Sequence, residues 1–344
     1  MSVTERPEAA AAPAAPEPGK PVKRQKIKTG EGRLGFYLVL PTLILLLIVI
    51  GYPVAKAIIM SFQKDAGLDP ATGLFTSGGS AGLANYKHWL LQQCTTGSGE
   101  TISCPPGSLG AQFWSAVGVT FFFTAATVAI EVTLGMMMAL VMNRAFKGRG
   151  LLRASVLVPW SIPTAVTAKL FFFMFAFDGI INSLFHTRIL WTGGQWASRF
   201  AVIFADVWKT TPFIALLILA GLQLIPTELY EAARVDGASA WQRFTRLTLP
   251  LVRPALMVAV LFRVLDVLRI YDLPAILTQG GGGSGHATTT LSILVVDQIR
   301  QGYNSASALS TITFLIIFLV AFIFVKFLGA NVVQTQQEQQ KAVK

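Results

Sequence analysis

Arg263, Asp266, Arg269 and Asp272 recur at three-residue intervals inside an otherwise apolar stretch, LMVAVLFRVLDVLRIYDLPAIL. Ionisable side chains in such surroundings are costly, and they persist where they pair or face a polar cavity. Carboxylates and guanidinium groups can exchange several hydrogen bonds with hydroxyl groups. They can equally pair with one another three residues apart on a helix. A three-residue interval drifts around a helix, so the four do not form one narrow face. Other apolar stretches carry Asp206, Trp208 and Lys209, then Lys169, then Glu131. Contact with a hydroxyl-bearing ligand and ion pairing between helices both remain open for this set.

Other chemistries find less support. No DxD pair, HExxH or GxSxG supplies an enzyme centre. His88, His186 and His286 are far apart and lack metal-ligand spacing, so no metal site is expected. Two cysteines exclude a disulfide framework and a Cys-based zinc site. Cys94 and Cys104 share one segment, QQCTTGSGETISCPPG, where both a bridge and two free thiols are open. The run GGGGSG (280–285) lacks the Lys and Ser/Thr of a P-loop, and it reads as a flexible loop.

The elements that must position these residues follow from composition. Of 344 residues, 53% are hydrophobic and 13% charged, against about 25% charged in soluble domains. A soluble globular enzyme is thereby excluded. Crossing a bilayer takes about 20 apolar residues in a helix. Six stretches qualify: 34–60, 113–142, 153–177, 200–224, 252–278 and 306–329. The expected fold is an all-α integral membrane protein of six transmembrane helices.

The charge pattern orients it. Segments 1–33 and 143–153 hold 11 Lys and Arg, whereas the alternate segments 61–112, 178–199 and 279–305 together hold 5. The positive-inside bias then predicts both termini in the cytoplasm and 61–112 as an outer loop. It also accounts for the net charge of +11 without nucleic acid, and no zinc-finger, RNP or helix-turn-helix pattern is present. Residues 1–33 read as a disordered basic tail, 34–331 as the membrane domain and 332–344 as a second tail. Pro159 and Pro163 in the third span, Pro212 in the fourth and Pro274 in the fifth mark places where a helix kinks or breaks.

The inner loop 225–251 is unlike a loop. Glu228 to Asp236 favours helix, and Gly237 supplies a stop that tolerates positive φ. Ser239 and Gln242 fit a capping box opening a second helix. Trp241, Phe244 and Leu247 give that helix an apolar stripe, and Pro250 and Pro254 mark its junction with the fifth span. By itself this is a helical hairpin that rests on lipid headgroups or docks into a partner.

EAARVDGASAWQRFTRLTLPLVRPAL resembles the EAA loop of importer permeases in the ATP-binding-cassette (ABC) superfamily. Glu231, Ala232, Ala233, Gly237, Leu249 and Pro250 match the pattern, and Asp236 and Ala238 complete the DGA form of carbohydrate permeases. LGMMMALVMNRAFKGRG (134–150), WKTTPF (208–213) and the stretch 277–316 are similar to maltose-type and trehalose-type permeases, so the likeness covers most of 34–329. The N-terminal tail and the Cys-bearing outer loop depart from it.

The resemblance implies a type I importer fold in the bacterial plasma (inner) membrane. The chain would be a permease without catalytic residues or a cofactor of its own, ATP and Mg being held by partners. Those partners would be a second permease subunit, two cytoplasmic ABC ATPase subunits and an extracellular solute-binding protein. The coupling residues would be Glu231, Ala232, Ala233, Asp236, Gly237, Ala238, Phe244, Leu249 and Pro250. Hydroxyls of a di- or oligosaccharide, an α-glucoside such as trehalose or maltose, would then meet a pathway of Trp160, Trp208, Lys209, Arg263, Asp266, Arg269, Tyr271 and Asp272. A lipid-linked glycosyltransferase and an ion-driven secondary transporter are the alternatives; the missing acidic motif and the dedicated hairpin weigh against them.

Overall fold

The computed structural model describes residues 29–68, 75–76, 78–95, 100–283 and 285–326. Most of both expected tails lies outside the described residues.

The first unit, residues 1–53, contains helix α1 (Thr29–Leu46) and a π-helical turn, Leu47–Gly51. The helix begins five residues before the expected span. Its apolar side chains, such as Leu38 and Leu43, are exposed, as befits a segment solvated by hydrocarbon.

The second unit opens within α2 (Tyr52–Met60). The segment expected outside follows, with three short antiparallel ribbons. These pair β1 (Gln63–Lys64) with β4 (Gly79–Ser80), β2 (Gly67–Leu68) with β3 (Phe75–Thr76), and β5 (Gln93–Thr95) with β6 (Thr101–Ser103). Helix α3 (Ala84–Leu90) lies among them. Cys94 in β5 and Cys104, just after β6, are joined by a disulfide, with Cα atoms 4.8 Å apart. Asp65 accepts from the Asn304 and Ser305 backbone N–H groups at 2.6 and 3.0 Å, which ties this segment to the last span.

Next come α4 (Phe113–Asn143), α5 (Arg149–Ser161), α6 (Thr164–Met174), the short connecting α7 (Ile180–Leu184) and α8 (Gln195–Gln223). Then come α9 (Thr227–Val235), α10 (Ala240–Arg243), α11 (Leu249–Val267), α12 (Asp272–Leu277), α13 (Leu291–Ile299) and α14 (Tyr303–Phe324). Five helices are long and apolar enough to cross a membrane, and the bent pair α5–α6 makes a sixth.

Helices α4, α8 and α11 form the centre of the second unit. Little hydrophobic force drives helices together in lipid, so close packing of small residues has to serve. A Cβ on Gly135 would stand 2.7 Å from Ile214, and one on Gly221 would stand 2.5 Å from Ala255. Those two glycines let α4 meet α8 and α8 meet α11. One apolar cluster (Phe123, Phe171, Val202, Leu273) fills one half of the bundle and a second (Met142, Ile218, Val252) the half nearer residues 225–251. Trp89, Phe113, Leu294 and Leu309 join α3, α4, α13 and α14.

Two expected spans are broken. The third bends by 88° between α5 and α6. Pro163 has no N–H to continue the ladder, and it serves instead as the N-cap of α6. The fifth ends at Val267 rather than 278. Pro274 is tolerated in the first turn of a new helix, where no N–H partner is needed, but it cannot extend the one before. The chain therefore turns at 268–271 and restarts as α12. The Gly-rich run is not a free linker either. Gly280, Gly282, Gly283 and Gly285 adopt positive φ, and Thr288 and Thr289 hydroxyls donate to Gly281 and Gly280 carbonyls at 2.9 and 2.7 Å.

Candidate functional site: a polar cavity joined to a helical elbow

The breaks create the site. Ending α11 at Val267 and α5 at Ser161 opens a cavity of about 630 Å³ beside α8. Its lining includes Trp160, Lys209, Arg263, Asp266, Arg269, Tyr271 and Asp272. Seven of the eight expected pathway residues thus converge. Trp208 does not: it turns onto Phe171, with ring centroids 5.4 Å apart. Its neighbour Lys209 faces the cavity because successive helical residues differ by about 100°. Arg269, Tyr271 and Asp272 lie in the turn and at the start of α12, not within the fifth span.

Arg263 is the node. It is 2% exposed and holds carboxylates from three helices. Its Nε donates to Glu131 Oε2 at 2.6 Å, and its Nη2 donates to Glu131 Oε1 and Asp206 Oδ2, each at 2.8 Å. Its Nη1 donates to Asp266 one turn along α11. The Thr210 hydroxyl donates to Glu131 Oε1 at 2.5 Å. Arg263 is therefore consumed in ion pairing, the packing role held open above, and only its edge reaches the cavity. Asp266 is different, because its side chain is 63% exposed. With Arg269 and Asp272, also exposed, it can exchange hydrogen bonds with a hydroxyl-rich ligand. The lining holds three cations (Lys209, Arg263, Arg269) and three carboxylates (Asp206, Asp266, Asp272), which balances its formal charge.

Lys209 repairs the break. Its ammonium donates to the Ile162 carbonyl at 2.5 Å and lies 3.5 Å from that of Trp160. Backbone groups freed at membrane depth need such partners. Asp206, Thr210 and Glu131 belong to the site although the expected pathway omits them. The charges were visible in the sequence as costly residues, whereas Thr210 gave no signal.

Residues 225–251 form an elbow. Helix α9 closes with a Schellman arrangement: Ala238 N–H donates to Ala233 O at 2.9 Å and Gly237 N–H to Arg234 O at 3.0 Å, with Gly237 at φ +74°. The Ser239–Gln242 capping box then opens α10. There is no junction at Pro250 and Pro254. From Ala240 to Val267 the chain is one helix of 28 residues, interrupted only by a π-helical turn at Phe244–Thr248. Pro250 cannot donate to the Arg246 carbonyl, and a widened turn upstream relieves the clash of its ring with that group. Pro53, behind the wide turn at 47–51, stands in the same relation. Glu231, Ala232, Asp236, Gly237, Leu249 and Pro250 are exposed, while Ala233 and Ala238 are half-buried. Phe244 instead packs into the second apolar cluster, and Tyr230 lies 3.1 Å from Thr248. These two brace the elbow against the spans. The apolar stripe is accordingly split, leaving Trp241 71% exposed.

A polytopic helical membrane subunit with a broken-helix cavity at membrane depth and a braced helical elbow is, as a class, a transport permease. Residues 131–334 match the family of binding-protein-dependent transport system inner membrane components, and the chain belongs to it. The trehalose/maltose transport system permease protein MalF of Thermococcus litoralis is 38% identical over 307 residues, covering 88% of this chain and 95% of that protein. The trehalose transport system permease protein SugA of Mycobacterium tuberculosis is 38% identical over 306 residues, 88% and 91% of the two chains. Among solved structures, a chain of a bacterial ABC transporter involved in import of the acidic polysaccharide alginate superposes with a TM-score of 0.67. The match is at 20% identity, over 87% of this chain and 96% of that one. The fold is that of an ABC importer transmembrane domain.

Proposed function

We propose that this chain forms half of the translocation pathway of an ATP-driven carbohydrate importer for a di- or oligosaccharide, an α-glucoside such as trehalose or maltose. The trehalose and maltose permeases among its relatives support the substrate class. A second permease subunit completes the pore, two cytoplasmic ATPase subunits drive it, and an external binding protein delivers the sugar. The observation that carries the reading is the continuity of Ala240–Val267. This one helix joins the elbow at its cytoplasmic end to Arg263 and Asp266 at the cavity. Closure of the ATPases on Glu231–Pro250 is transmitted along it to α4 and α8 through the Arg263 ion pairs. ATP and Mg stay on the ATPases, so this chain catalyses nothing itself. The uncommitted oxygen of Asp266, with Arg269 and Asp272, exchanges hydrogen bonds with sugar hydroxyls, and Trp160 and Tyr271 cover apolar ring faces.

The test is purification of the assembly with its binding protein, followed by ATPase measurements over a panel of sugars. Stimulation by trehalose or maltose and none by amino acids is expected. An assembly without a nucleotide-hydrolysing subunit would overturn the reading.

A further inference from the structure

Lys169 is exposed on α6, inside a span. Its depth follows from ring contacts: Phe171 packs on Phe204 and Trp208, at centroid distances of 5.8 and 5.4 Å. Helices α6 and α8 run in opposite directions, since Ile162 meets Lys209 whereas Phe175 meets Phe204. Lys169 is therefore level with the middle of the 29-residue α8. Snorkelling to headgroups serves lysines near helix ends, not one at this depth.

The surroundings narrow what covers it. Thr167, Ala168 and Phe171 form the buried face of α6. The opposite face shows Ala165, Val166, Leu170 and Phe173 around the ammonium. An apolar wall is poorly suited to line a water-filled passage, and a lone charge is poorly suited to lipid. The cavity described above does not include Lys169. Its nearest compensation is the Phe172 ring, 5.4 Å away. This chain supplies no counter-charge among its described residues: the ion pairs of the membrane helices all centre on Arg263. The spans 34–60 and 303–326 contain no Asp or Glu.

We infer that the Ala165–Phe173 face of α6 packs against a membrane helix of a second permease subunit, which brings a carboxylate to Lys169. The inference rests on the proposed two-subunit pore and adds which face meets the other half and what chemistry the other half carries there.

The experiment uses the whole assembly isolated from membranes. Cys94 and Cys104 are bridged to each other, so the cysteine of a Lys169→Cys or a Val166→Cys variant is the only free thiol in this chain. Each variant is labelled in the membrane with benzophenone-4-maleimide and irradiated. Adducts with a polytopic subunit of the same family are expected for both variants. Lipid adducts alone, or modification of the Lys169→Cys variant by a membrane-impermeant thiol reagent, would overturn the inference. Lys169→Arg should retain the second subunit through purification, and Lys169→Glu should lower its recovery by about tenfold or more, since like charges at an interface are strongly disfavoured. Equal recovery with Lys169→Glu would also overturn it. A wild-type assembly without any second permease would instead defeat the proposed function on which the inference rests.

Discussion

Arg263 and Glu131 meet as a two-pronged pair, Nε to Oε2 at 2.6 Å and Nη2 to Oε1 at 2.8 Å, across 132 residues of chain. The fork fixes the rotation of α11 about α4 as well as their separation. Removing one side of a buried pair costs about 3–5 kcal/mol, because the other is left uncompensated. Arg263→Met strands two buried carboxylates, Glu131 and Asp206, and should sharply lower the amount of folded protein in membranes. Glu131→Gln strands none and should fold, with reduced transport. Both are read by detergent-solubilised thermal melting and sugar uptake. Equal melting of Arg263→Met and wild type would show that the node does not hold the bundle.

Lys209 is predicted to act as a splint, not as a sugar contact. Lys209→Met leaves the Ile162 carbonyl at the break without its 2.5 Å partner. An unsatisfied buried acceptor costs about 1–3 kcal/mol, and the half-buried Ile162 carbonyl beside the cavity should fall at the low end. Lys209→Arg keeps a donor there and should recover most of the stability. If both variants melt like wild type while sugar affinity falls, Lys209 is a ligand group instead.

Gly237 has positive φ with nothing within 4 Å of an added Cβ. Asp is among the residues that tolerate that backbone region. Gly237→Asp should therefore insert and melt almost normally. Uptake should be lost, because the new side chain occupies space that a docked ATPase needs. Normal uptake by this variant would count against a coupling role for the elbow.

Burial holds the His88 imidazole below its usual value of 6.5, against a smaller opposing effect of its bond to the Gln93 carbonyl at 2.9 Å. A lowered value in the folded state means that the unfolded chain binds the proton first. The stability His88 contributes is complete above the unfolded value and is lost as pH falls below about 6.5. Amide protection in 84–95 and 100–112, taken relative to the intrinsic exchange rate at each pH, should fall between about pH 7 and about pH 5, and His88→Gln should flatten that dependence. An unchanged dependence in His88→Gln would assign it to another group.

What the sequence disclosed was mostly local. The elbow was readable because its signals lie within a few residues: Gly237 for the left-handed stop, Ser239 and Gln242 for the capping box. Four spans came within a few residues because length and apolarity fix them. The breaks were harder. Pro159, Pro163, Pro212, Pro254 and Pro274 all invite one, yet Pro159, Pro212 and Pro254 remain inside helices. The outcome at Pro163 depends on Lys209 reaching the freed carbonyls from 47 residues away, and no window of sequence contains that. Glu131 and Arg263 were each conspicuous as charges in apolar runs, but their pairing is a property of how α4 and α11 pack.

The widened turn at Phe244–Thr248 has a geometric consequence. A π turn winds one additional residue into the coil. It therefore acts as a phase slip, shifting everything on one side by about 100° of azimuth relative to the other. The compass bearing of Trp241 is thus set independently of that of Arg263, though both ride on one rod. Deleting a single residue there would let the coil run regular, and the two ends would no longer face where they do now.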